Sequence, residues 1–207
     1  PANEQAILEL SQAAARLRDY ALAMTAYSDY LQLVGPDADR CVRFADLLLM
    51  ARDIDTAWHQ VEQAAVLGAD SADYHLIRAR ILYLRGEDVS CNSACDAALA
   101  RDPGLGQAWQ LRIEIADKSE VPAMIENMRH ALTPDSYDRF QRELLLSALG
   151  DAYRKRENVG EATDFYRQSN AMQLQGLAAS GQTYAAQPDQ SRVGALAVQQ
   201  LRALLVG

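Results

Sequence analysis

The chain has 207 residues, 49% of them hydrophobic and 23% charged, a balance that excludes wholesale disorder. Its formal net charge of -8 argues against a nucleic-acid binder, which needs a basic face to displace counterions. No apolar run approaches the roughly 20 residues needed to span a bilayer, and no signal-peptide pattern opens the chain, so a cytoplasmic protein with no membrane contact is expected.

Along the chain the same helical pattern returns at a step of 34 residues. Ile7, Cys41, His75 and Trp109 share one register, and Leu10, Phe44, Arg78 and Arg112 share another. Ser11, Ala45, Ala79 and Ile113 form a third, and Ala14, Leu48, Leu82 and Ala116 a fourth. That period is the length of one helix–turn–helix unit in a stacked solenoid. The second helix of each unit also keeps step. Ala23, Ala57, Cys91, Met124 and Ala162 begin it with a mostly small side chain. Tyr27, Val61, Cys95, Met128 and Tyr166 follow four residues later, and Tyr30, Ala64, Ala98, Ala131 and Ser169 three beyond, so all three lie on one helical face.

Turn signals separate the units at Gly35-Pro36, at Gly68 before Asp70-Ser71, at Asp102-Pro103-Gly104 and at Thr133-Pro134-Asp135. Gly86 falls between the helices of the third unit, where a left-handed residue suits a tight bend. The fourth unit lacks such a bend and is one residue short, and Pro122 suits the first turn of its second helix. Segment 134–143 then adds residues before the fifth unit. The last second helix is expected to run through Leu174 toward Leu177, with a break at Ser180-Gly181. Beyond it, Val193, Leu196, Ala197, Gln200, Leu201 and Leu204 have amphipathic helical spacing over 190–205, which suits a cap on the fifth unit or a connector to a further domain.

These registers resemble the tetratricopeptide repeat family. The fifth unit matches best, through Leu146, Leu149-Gly150, Tyr153, Ala162, Tyr166 and Ser169. The third closes with Cys91, Cys95, Ala98-Leu99 and Asp102-Pro103, and the fourth opens with Ala108-Trp109. Arg78 and Arg112 depart from it in a slot usually apolar, and Tyr30 in one usually small. The expected fold is all-α, a right-handed superhelical solenoid of about five repeats. Its units span about 4–37, 38–71, 72–105, 106–138 and 143–175, and a linker and C-terminal helix fill 176–207. A narrower likeness covers 139–170, where the run Arg142 to Tyr153, then Glu161-Ala162, Tyr166 and Asn170, resembles the repeats that precede the catalytic domain of bacterial sulfotransferases. That likeness implies a docking or regulatory module whose enzyme domain would lie beyond Gly207.

Chemistry is not signalled. Gly176 and Gly181 follow no strand and no Lys-Ser/Thr pair, so no phosphate loop is expected. His59, His75 and His130 have no nucleophile at a matching spacing, and His75 takes a slot suited to a packed ring. Cys41, Cys91 and Cys95 read as reduced core thiols. No catalytic residue, cofactor or metal is assigned.

A binding surface is expected instead on the concave wall formed by the first helices. The candidate residues are Gln12, Val42, Asp46, Leu49, Leu76, Arg80, Tyr83, Gln110, Glu114, Asp151 and Arg154. Val42, Leu49, Leu76 and Tyr83 read as an apolar floor among mixed charges, suited to a peptide or protein segment with an apolar anchor. Leu8 and Gln12 stand where chaperone-tail binders of this family place the first pair of a carboxylate clamp, so that role is disfavoured. Beside the scaffold reading stand the sulfotransferase module and a self-associating structural protein, a homo-oligomer through Leu196, Leu201 and Leu204.

Overall fold

The structure, a computed structural model, describes residues 2–132 and 137–179. Among the described residues there are ten helices and no strand. They divide into two compact units, one ending at Ala69 and the other starting at Asp70.

The first unit runs α1 (Ala2–Arg16), α2 (Tyr20–Val34), α3 (Ala38–Met50) and α4 (Ile54–Val66). Asp19, Asp37 and Asp53 cap α2, α3 and α4, accepting from the N–H three residues on at 3.1, 2.7 and 3.2 Å. Such caps satisfy an amide that the first turn would otherwise leave unpaired. α1 packs on α2 and α3 on α4, with α2 against α3. Alanines at 14, 23, 45, 57 and 64 are fully buried at these contacts, where the small side chain permits close approach. Ser11 donates from its hydroxyl to the Ala23 carbonyl at 2.9 Å. Tyr27 stacks on Phe44 with ring centroids 5.2 Å apart and donates its hydroxyl to the Arg40 carbonyl at 3.3 Å. Tyr30, in its usually small slot, is half-buried, edge-on to Tyr27 and beneath the Arg40 guanidinium.

The second unit runs α5 (Ala72–Leu84), α6 (Asp88–Arg101), α7 (Gly106–Ile115), α8 (Val121–Leu132), α9 (Arg139–Lys155) and α10 (Val159–Ala179). Its core joins Trp109, Met124, Met128, Leu145, Leu149 and Tyr153 with the small residues at 98, 108, 148 and 152. Cys91 and Cys95 are fully buried core thiols, and Cys91 donates to the Ala79 carbonyl at 3.3 Å. This is the register pair that Ser11 and Ala23 occupy in the first unit, with the donor on the opposite helix. α10 runs past Leu177 to Ala179. The turn at Thr133-Pro134-Asp135 and the helix expected over 190–205 lie outside the described residues.

Four of the bends inside helix pairs are built alike. Arg18, Arg52, Gly86 and Glu157 take positive φ of 60°, 67°, 73° and 63°. The next residue, Asp19, Asp53, Glu87 or Asn158, donates its N–H back to Ala14, Leu48, Leu82 or Tyr153, at 3.0, 2.9, 2.9 and 3.0 Å. The left-handed residue lets the chain reverse while satisfying carbonyls at the end of the first helix. Only one of the four is glycine, so three bulky side chains accept a conformation they disfavour.

The bend between α7 and α8 is different. Ala116 is extended, with ψ 149°, and its N–H reaches only Ile113 O, at 3.4 Å. The Lys155 ammonium, from the last turn of α9, donates to the Ile113 and Glu114 carbonyls at 2.6 and 2.8 Å. A side chain from another helix therefore does what backbone does elsewhere. α7 in turn lies close against α9: a Cβ on Gly106 would sit 2.6 Å from the Leu144 carbonyl carbon. Pro122 stands in the first turn of α8, where no amide donor is needed.

Candidate functional site

The expected site residues fall on the first helices of both units, and each unit presents its own set. In the first, α1 and α3 turn toward one another with matched stripes. Leu8, Ser11, Gln12 and Ala15 on α1, and Arg43, Asp46, Leu47 and Met50 on α3, both follow the i, i+3, i+4, i+7 spacing of one helical face. Between them, with Tyr27 of α2 as a further wall, lies a cavity of about 190 Å³. Ser11 and Ala15, two of its α1 lining residues, have small side chains. Gln12 is exposed, and Asp46 is half-buried with a polar partner already in place. Val42 and Leu49, expected in the apolar floor, are both 6% exposed and back the α3 wall from inside. Burial pushes the Tyr27 phenol up to about 12, so its hydroxyl is a neutral donor across the ordinary pH range.

In the second unit, α5, α7 and α9 supply the corresponding residues. Leu76 is buried within the core, whereas Tyr83 is 39% exposed. Arg80 is half-buried and engaged. Gln110 donates from its amide to the Ser147 hydroxyl at 3.3 Å, tying α7 to α9. Asp151 accepts from the Tyr166 hydroxyl at 2.7 Å and lies 3.6 Å from Arg154. Burial, then the Asp151 carboxylate, raise the Tyr166 phenol above its usual value. Glu114 is exposed at the α7 end whose carbonyls Lys155 holds. The structure thus brings Gln110 to Ser147 and Asp151 to Arg154 and Tyr166.

Two of the departures from the family pattern, Tyr30 and Arg112, have defined partners. Arg112, only 14% exposed at its side chain, pairs with Asp96 at 3.2 Å and Glu120 at 2.7 Å. The guanidinium beside it holds the Glu120 carboxyl below the usual range. His75 packs edge-on to Tyr74, its Nε2 3.0 Å from the Asp70 carboxylate, which Arg101 also engages. His75, then Arg101, hold the Asp70 carboxyl below its ordinary value. His59 and His130 are exposed, beside Glu62 and Glu126.

No protein-family model matches the chain, and no curated protein does. Solved structures do. TTC0263, a thermophilic TPR protein of Thermus thermophilus, aligns with a TM-score of 0.64 at 15% identity, covering 97% of this chain and 99% of that one. PilW, a type IV pilus biogenesis factor, gives 0.63 at 17% identity, covering 98% and 91%. YrrB, described as a TPR protein with an unusual peptide-binding site, gives 0.51 at 12% identity, covering 81% and 84%.

The fold is that of the tetratricopeptide repeat proteins.

Within this fold, two features near the candidate residues were not legible in the sequence. Lys155 carries no local signal, because its partners are carbonyls some 40 residues earlier. The recess arises only when α1 and α3 are brought side by side. A third feature had a faint signal. Arg18, Arg52 and Gly86 stand at successive steps of 34 residues, so the period alone marks the two arginines as bend positions. No described helix is long and apolar enough to cross a membrane.

Proposed function

We propose that this protein is a non-catalytic tetratricopeptide scaffold that binds a peptide or protein segment through the first-helix faces of its repeats. The observation that carries the reading is the paired stripe of α1 and α3, which leaves an apolar recess with polar side chains on it. In the second unit the exposed Tyr83 supplies an aromatic contact, and Gln110, Glu114 and Arg154 supply polar ones. Aromatic anchors ringed by polar groups are the usual energetic core of a protein contact. The fold supports a scaffold role by analogy, because stacked helix pairs present extended binding surfaces.

The test is partner capture from native lysate by wild type and by Tyr83→Ala combined with Glu114→Arg. Both positions are exposed, so helicity should be unchanged while the identified partner is lost from the captured fraction. Equal capture by both proteins would remove the second unit's first-helix face from the reading. The likeness of residues 139–170 to sulfotransferase-linked repeats has its core residues, among them Leu145, Leu146, Leu149 and Tyr153, buried in packing of α9 and α10, and it adds nothing to this reading.

A further inference from the structure

We propose that the recess between α1 and α3 receives one bulky apolar side chain of a partner peptide whose neighbouring residue is a carboxylate, held by Arg43. The inference rests on the scaffold reading above and names the chemistry of the segment that one part of the face selects.

The recess has the size and lining for a ring. Its volume is about 190 Å³, and an apolar cavity of about 150 Å³ takes up benzene. Leu8, Ala15, Tyr27, Leu47 and Met50 supply its apolar wall. Ser11 adds no unmet polar group, because its hydroxyl is already given to the Ala23 carbonyl. Tyr27 likewise donates to Arg40 O. An inserted aromatic or large aliphatic side chain would therefore meet apolar surface without stranding a donor.

The charge requirement comes from Arg43. It lines the recess, is exposed, and among the described residues forms no ion pair or hydrogen bond, whereas Arg40 and Arg112 are paired with carboxylates. Asp46, the acidic group on the same wall, already holds a partner. A carboxylate beside the inserted side chain would thus find an uncommitted guanidinium with forked donors. An ammonium in the same place would face Arg43 and gain nothing. The occupant favoured by charge is an apolar–acidic segment, not an apolar–basic one.

The experiment titrates isotope-labelled full-length protein with short blocked peptides and follows amide shifts. The probe is acetyl-Ser-Trp-Glu-Ser-amide, with Trp-Lys and Ala-Glu versions as controls. The Trp-Glu peptide should shift signals of α1 and α3 around Ala15 and Leu47, with binding in the millimolar range. The Trp-Lys and Ala-Glu peptides should each bind about tenfold more weakly or not at all. Arg43→Gln, a change at an exposed position with circular dichroism reporting that the helices persist, should weaken the Trp-Glu peptide about tenfold and leave the Trp-Lys peptide unaffected. Ala15→Leu should fill the recess and abolish both, with circular dichroism reporting that the helices persist. Equal binding of Trp-Glu and Trp-Lys, insensitivity to Arg43→Gln, or shifts confined elsewhere would each overturn the proposal. So would α1 and α3 signals that move with protein concentration in the absence of peptide, which would make a second copy the occupant, or that move on removal of residues 180–207, which would make it the chain's own end. Failure here with loss of partner capture in the Tyr83 variant would leave the scaffold reading standing; failure of both would remove it.

Discussion

The bends at Arg18, Arg52, Gly86 and Glu157 and the bend between α7 and α8 solve one problem in two ways. Each must pair the last carbonyls of a first helix. The four regular bends do so with the N–H of the residue after a left-handed turn, so everything required lies within six residues of chain. The fifth has Ala116 extended and recruits the Lys155 ammonium from α9 instead. A local device is robust to what surrounds it. A borrowed one ties the stability of α7 to that of α9, and makes the most irregular repeat the one most dependent on its neighbour.

The comparison can be broken most severely at Gly106. Gly106→Ala would push a methyl into the Leu144 and Leu145 backbone, at 2.6 and 2.7 Å in the unrelaxed structure, so α7 and α9 must separate. A loss of about 1–3 kcal/mol is expected in denaturant unfolding, with amide exchange in α7 rising most. Next in size is Lys155→Met, which keeps the apolar stem and removes both carbonyl bonds. About 1–2 kcal/mol should be lost, again focused on α7, while Lys118→Met, which removes only an exposed pair with Glu157, should be close to neutral.

The regular bends predict opposite signs at equivalent places. Gly86→Ala should destabilise by about 1 kcal/mol, since alanine at φ 73° is strained. Arg52→Gly should be neutral to stabilising by up to about 1 kcal/mol, as relief of the left-handed arginine outweighs the added freedom of the unfolded chain. Both are read from denaturation midpoints at constant m-value. If Arg52→Gly destabilised by as much as Gly86→Ala, the arginine side chain would be contributing more than the backbone loses.

The smallest effect is in acid. Glu120 has its folded value depressed by Arg112, so the pair contributes fully above the ordinary glutamate range and is lost as pH falls through the depressed value. Glu120→Gln should therefore lower stability modestly at neutral pH and flatten the fall in stability on acidification. An unchanged acid slope would mean that the pair at the α7–α8 bend does not report on folding.

Much of the repeat chemistry was open to reading because it is local and periodic. Ala23, Ala57 and Cys91 are buried where a small second-helix residue was expected, and Gly86 is left-handed as its place between helices implied. The site was less legible. Sequence spacing can assign Val42, Leu49 and Leu76 to first helices, but only packing decides that these are buried while Tyr83 and Glu114 reach solvent. Arg43 carried no such signal for the same reason: its place in the recess lining, and its lack of an ion pair or hydrogen bond among the described residues, are facts of three dimensions.

From the amino-acid order alone, then, came the helices, their pairing and the repeat step, since caps, turn residues and apolar spacing act over a few residues and recur with the period. Tertiary structure alone decided where the period's defect is repaired and where the wall is left unfilled. Lys155 reaches carbonyls about 40 residues away, and the recess lined by Ser11, Ala15 and Leu47 exists only once α1 and α3 lie side by side. Neither follows from any window of sequence, because each depends on which helix faces which and how closely they can approach.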